Sequence, residues 1–128
     1  MRIEHVAFQV EFPQDVARWY AQQFGMTIRR ASTQGPQMHF LACDGDHVLL
    51  EFYNNPAAPL PDYRSMHPLM LHIAWVSDNL EADRARLIAA GAQAFDEITT
   101  SPAGDKLAML RDPWGLAIQL AQRATPML

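Results

Sequence analysis

Cysteine is nearly absent: Cys43 is the only one in 128 residues. No intrachain disulfide and no cysteine-based zinc site can be built, which suits a reducing compartment. Basic runs are lacking too. With 10 Lys and Arg against 14 Asp and Glu, a net charge of −4 and no cationic cluster, the chain carries no footprint for nucleic acid or a membrane surface. No stretch of about 18 apolar residues exists, so no helix is expected to span a bilayer. The opening "MRIEHVAFQV" reads directly as a strand, without a charged segment followed by an apolar one. These absences predict a cytoplasmic protein whose partner is a small molecule. Apolar residues, 49% of the chain, are enough for one compact domain, or two small halves sharing a core, around a cavity.

What the chain does contain is internal repetition. "EHVAFQV" from residue 4 lies over "LHIAWVS" from residue 71, placing His5 on His72 and Ala7 on Ala74. "DVARWYAQQFG" carries Val16, Trp19, Tyr20 and Phe24 at helical spacing and ends at Gly25 as a C-terminal cap. Its counterpart "DNLEADRARLIAAG" opens with Asp78 and Glu81, a capping-box-like start, and ends at Gly91. "DGDHVLLEFY" lies over "DPWGLAIQLA", with Asp44 on Asp112 and Glu51 on Gln119. Two copies of one strand, helix and three-strand unit follow, residues 1–53 and 70–123, joined by a proline-rich linker over 54–69. "MTIRRAS", "PQMHFLACD" and "GDKLAMLRD" supply further strands, while "AQAFDEITTSPAG" is ambiguous.

Alternation sorts each strand into two faces. Val6, Phe8 and Val10 should meet a helix, leaving His5, Ala7 and Gln9 opposite; Leu71, Ile73 and Trp75 pack, leaving His72, Ala74 and Val76. Val48, Leu50 and Phe52 pack, leaving Leu49, Glu51 and Tyr53; Leu116, Ile118 and Leu120 pack, leaving Ala117, Gln119 and Ala121. Each of the four strands thus places one polar, metal-competent residue away from its helix, mostly beside alanines that leave volume unfilled. Two imidazoles and a carboxylate in a polar-lined cavity are costly unless paired, hydrogen-bonded or bound to a cation. Two His and one carboxylate are also a ligand set that divalent transition metals favour. The competing account is a polar cluster in which Glu51 pairs with a protonated His5 or His72 and the Gln119 amide donates a hydrogen bond.

Other residues receive plainer readings. His47 is a surface residue near a turn and His67 belongs to the linker, whereas His39 and Tyr53 are assigned to substrate binding. Cys43 has no basic partner at an obvious spacing and reads as a small buried or edge residue. Trp19, Trp75 and Phe8 read as core.

Taken together, "IEHVAFQV", "LHIAWVSD" and "RDPWGLAIQL" resemble the vicinal oxygen chelate superfamily, which includes glyoxalase I, bleomycin-resistance proteins and extradiol dioxygenases. The resemblance covers nearly the whole chain. It implies an α+β fold of two tandem βαβββ units forming a curved, incomplete β-barrel with the helices on its outer face. It further implies metal ligands at His5, Glu51, His72 and Gln119, a divalent ion (Fe, Mn, Ni, Co or Zn), and a homodimer. Gln119 stands where metal-binding relatives commonly have Glu. An amide can coordinate through its carbonyl oxygen but cannot take up a proton near neutral pH, so Glu51 inherits the carboxylate role. The functions implied are a glyoxalase-like lyase or isomerase, a ring-cleaving extradiol dioxygenase with His39 as acid or base, or a metal-free small-molecule binding protein.

Overall fold

The computed structural model describes residues 1–43 and 48–127, so the turn reading of Asp44 and the surface reading of His47 lie outside the described residues. The chain divides into two compact units, Met1–Pro61 and Asp62–Leu128, and the division falls inside the proline-rich stretch.

The first unit runs β1 (His5–Gln9), α1 (Pro13–Phe24), β2 (Thr27–Ala31), β3 (His39–Ala42) and β4 (Leu49–Tyr53). Its sheet has the order β1-β4-β3-β2, with β1 parallel to β4 and the other pairs antiparallel. Helix α1 begins at Pro13, ahead of the expected Asp15. Proline's fixed φ and missing N–H suit the first turn, where Asp15 also complements the helix dipole. Val16, Ala17, Trp19 and Tyr20 form the buried stripe, and Gly25 at φ 65° ends the helix in the left-handed region. The helix packs on β2, β3 and β4. Tyr20 and Phe52 are fully buried with ring centroids 4.8 Å apart, and Phe8 approaches Phe52 at 5.8 Å. Truncating Phe52 to alanine would cost about 3–5 kcal/mol, the usual range for a buried aromatic.

The second unit runs β5 (Ile73–Val76), α2 (Leu80–Ala89), β6 (Gln93–Ala94), β7 (Thr99–Thr100), β8 (Lys106–Arg111) and β9 (Ala117–Gln122). Its sheet order is β5-β9-β8-β6, with β7 also paired to β8 and β5 parallel to β9. The ambiguous segment is therefore a broken second strand. Between its two short pieces the Asp96 carboxylate accepts from the Met109 N–H at 2.7 Å, taking a donor that a continuous ladder would have used. Helix α2 is capped by Asn79, whose side chain accepts from Ala82 N–H at 3.1 Å. Asp78 is thus not the cap, and Glu81 turns to Lys106 Nζ at 2.7 Å instead of closing a capping box.

A tight turn joins β8 to β9. The buried Asp112 carboxylate accepts from Trp114 N–H at 2.9 Å and Leu116 N–H at 3.0 Å, so the buried acid is matched by backbone donors. Arg111 reaches across to the carbonyls of Tyr63 at 2.8 Å and Met66 at 2.9 Å, while Arg64 donates to Pro113 O. These bonds attach the second half of the proline-rich stretch to this unit. Its first half belongs to the other unit, where the Gln9 amide exchanges bonds with Asn55 and donates to Ala58 O.

Candidate metal and substrate site

Register decides which side chains share a face. In the first unit Ala7 lies beside Glu51 and Glu51 beside Phe40, so His5, Ala7, Phe40, Glu51 and Tyr53 emerge on the side away from α1. The opposite face holds Phe8, Leu41 and Phe52, all buried. His39 is paired to Phe52 and is buried on that helix-packed face, its Nδ1 2.8 Å from Gln37 O. It is therefore separated from Glu51 by the thickness of the sheet, and the assignment of His39 to the substrate face is not carried forward. Tyr53 stays on the Glu51 face and is half-buried.

Within the first unit the two predicted ligands, His5 and Glu51, stand together. His5 Nε2 lies 3.4 Å from Glu51 Oε2, and His5 Nδ1 lies 3.1 Å from Glu4 Oε1. The Glu51 side chain is only 14% exposed against 36% for His5, so the carboxylate sits at the bottom of the pair. Phe40 meets the imidazole edge-on at 5.4 Å between centroids and limits its rotation. Sequence reasoning missed Glu4 because it precedes β1, outside the stretch to which strand alternation applies. A cleft of about 280 Å³ lined by Glu4, Arg29, Arg30, Phe40 and Leu49 opens beside this pair.

The second unit repeats the relation. Ala74 lies beside Gln119 as Ala7 lies beside Glu51, and His72 precedes Ala74 by two residues as His5 precedes Ala7. His72 Nδ1 lies 2.9 Å from Pro68 O. A carbonyl only accepts, so Nδ1 is the donor, and Nε2 is the nitrogen left to face a ligand. Gln119 is half-buried between Ala74 and Met109. The alanines expected to leave space do so: Ala74 and Ala121 line a cavity of about 370 Å³ together with Val76, Ser77, Pro126 and Met127.

The donors at His5 and Glu51 fit a divalent cation. Two donors each roughly 2.0–2.2 Å from one ion stand about 3–3.5 Å apart at tetrahedral to octahedral angles, the spacing seen here. An imidazole and a carboxylate suit zinc, iron, manganese, cobalt or nickel. Among the described residues no group of three or more His, Cys, Asp or Glu lies together at metal-ligand spacing.

The family model described as the Glyoxalase/Bleomycin resistance protein/Dioxygenase superfamily matches residues 2–120. Comparison with curated protein sequences returns no match. Among solved structures, SMU.1112c is 27% identical with a TM-score of 0.72, covering 95% of this chain and 98% of its own. TnmS3, an antibiotic binding protein from Streptomyces sp. CB03234, is 20% identical with a TM-score of 0.70 and 97% of each chain covered. A glyoxalase I variant from Zea mays is 22% identical with a TM-score of 0.74; the match covers 97% of this chain but 46% of that one. By its match over nearly its whole length, and with two units that each carry a helix and a mixed sheet whose first and last strands run parallel, the chain belongs to the Glyoxalase/Bleomycin resistance protein/Dioxygenase superfamily.

Proposed function

We propose that the protein is a cytoplasmic, homodimeric, divalent-metal-dependent enzyme acting on a small molecule with two neighbouring oxygens, most simply in a glyoxalase-like lyase or isomerase step. The approach of His5 Nε2 to Glu51 Oε2 at 3.4 Å carries this reading. The proposed ligands are His5 and Glu51, with His72 and Gln119 as the donors of the second unit. When bound, such an ion supplies Lewis acidity toward vicinal oxygens.

The remaining chemistry falls to the chain itself. Glu4 receives the far nitrogen of His5 and fixes the ring, so that Nε2 faces Glu51. Glu51 is the only carboxylate among the four proposed ligands and is the group assigned to hold a substrate proton. Gln119 offers an oxygen without basicity. Tyr53, next along the same face of β4, is assigned to substrate contact. His39, the acid or base named for a ring-cleaving dioxygenase, is buried on the other face, which is why the lyase or isomerase reading is put first.

Elemental analysis of protein reconstituted with manganese, then passed through a chelating column, tests the reading. The expected result is near-stoichiometric metal in the wild type and loss of it in His5→Ala. Equal, negligible metal in both proteins would instead favour a metal-free binding protein. That second reading draws on the apolar cavity of the second unit and on TnmS3, described as an antibiotic binding protein.

A further inference from the structure

We infer that Arg30 anchors an anionic group, so that a substrate held at His5 and Glu51 carries a carboxylate or phosphate at its other end; this rests on the metal reading proposed above for the reacting end. A β-bulge places the arginine. Ile28 pairs with Leu41 and Arg30 with the neighbouring Phe40, so Arg29 is an extra residue in β2 and the alternation of faces reverses across it. Ile28 lines up with Leu41 on the helix-packed face, while Arg30 joins the row of Phe40, Glu51 and Ala7 on the open one. Without the bulge Arg30 would fall opposite His39, on the wrong side of the sheet. The row also sets a length. Arg30 lies two strand spacings from Glu51, about 10 Å across the sheet, so a substrate a few bonds long reaches from the ion to the arginine side chain.

The cleft of about 280 Å³ beside His5 is lined by Glu4, Arg29, Arg30, Phe40 and Leu49. Phe40 stands between Arg30 and the His5 ring, whose centroid is 5.4 Å from its own. A guanidinium only donates and stays charged, and its planar fork matches a carboxylate or phosphate. The opposing charge on the lining is Glu4, which is turned to His5 Nδ1 at 3.1 Å, so two cations face one anion. The second unit is built differently at this place. Met109 lies beside Gln119 as Phe40 lies beside Glu51, and Phe95, whose N–H donates to Met109 O at 3.0 Å, takes the position of Arg30. Arg111 stacks on that ring but gives its N–H groups to the carbonyls of Tyr63, Gly115 and Met66. Anion recognition is therefore a property of the first unit.

Two ligands that chelate through neighbouring oxygens test the anchor: butyrohydroxamate, and glutaric acid monohydroxamate, which adds a terminal carboxylate. Isothermal titration into manganese-loaded protein should show the second binding the wild type about tenfold tighter. Arg30→Gln should bring the two to parity without changing the affinity for butyrohydroxamate, and Arg30→Glu should invert their order. Both changes fall on an exposed edge strand, where the fold is not at risk. Equal affinities in the wild type, or a preference kept in Arg30→Gln, would overturn the assignment. Metal-free protein gives a measurement independent of the ion: glutarate or inorganic phosphate should move the Arg30 Nε–Hε resonance saturably, and the tighter of the two names the anion. No movement with either would also overturn it. Movement of Arg30 without any hydroxamate binding would instead remove the metal reading and leave the anchor in place.

Discussion

Glu51 and Gln119 occupy corresponding register positions, each beside an alanine of a parallel edge strand, yet one is a carboxylate and the other an amide. Gln119→Glu should tighten manganese binding, since it adds a charged donor, and isothermal titration checks it; unchanged or weaker affinity would remove Gln119 from the ligand set. Glu51→Gln should do the reverse, weakening binding by about 10–100-fold or more and abolishing activity, because it removes the one base among the proposed ligands. That Glu51 and Gln119 share a sheet face with Ala7 and Ala74 was legible from alternation, because strand parity depends on backbone geometry alone, whereas His72 stands one residue before β5, where parity no longer applies. His39 was not legible. Its counterpart in β8 is Ala108, so the repeat carries no histidine at this place, and only pairing with Phe52 reveals that His39 lies on the helix-packed face. Glu4 and the Pro68 carbonyl escaped for a related reason: both act from irregular backbone next to a strand, where no periodicity speaks.

At the scale of elements, the β8–β9 turn makes a sharp prediction. Gly115 has φ 105°, and a Cβ there would stand 3.0 Å from the Arg64 backbone nitrogen and would strike Arg64 Cγ. Gly115→Ala should therefore cost about 1–3 kcal/mol from the backbone conformation alone, with the Arg64 clash added, visible as a lowered melting temperature. The C-terminal segment depends on pH. The Ala124 N–H, and after it the Arg123 guanidinium, hold the Asp105 carboxyl below its ordinary value. A carboxyl with a lowered folded-state pKa contributes stability that is present above the unfolded value and is lost as pH falls through the folded one. On acidification below about pH 4 the wild type should therefore lose stability relative to Asp105→Asn, and the difference between them should be largest near neutrality. Denaturant titrations at pH 7, 4 and 2.5 check the sign; a gap that grows toward acid would contradict it. Both helices were legible from spacing and terminal glycines, though their starts shifted to Pro13 and to an Asn79 cap because local backbone, not composition, selects the capping residue. The broken second strand of the second unit was illegible. Its pieces are two residues each, and their pairing is imposed by β8.

For the molecule as a whole, the repeat offset of 67 or so residues in the sequence becomes an identity of register: each unit pairs its first and last strands in parallel and sets a His two residues before the alanine that faces Glu51 or Gln119. The superfamily is matched over residues 2–120, and no described helix is long and apolar enough to cross a membrane. The proposed homodimer predicts a mass twice that of the 14.4 kDa chain in analytical ultracentrifugation at micromolar concentration. The central claim is that His5 and Glu51 hold a divalent ion between them. Crystals grown with manganese, measured for anomalous scattering, test it most directly. The account predicts a peak within coordination distance of both His5 Nε2 and Glu51 Oε2, absent from crystals of Glu51→Gln. No peak at saturating manganese, or one that contacts neither residue, would contradict it.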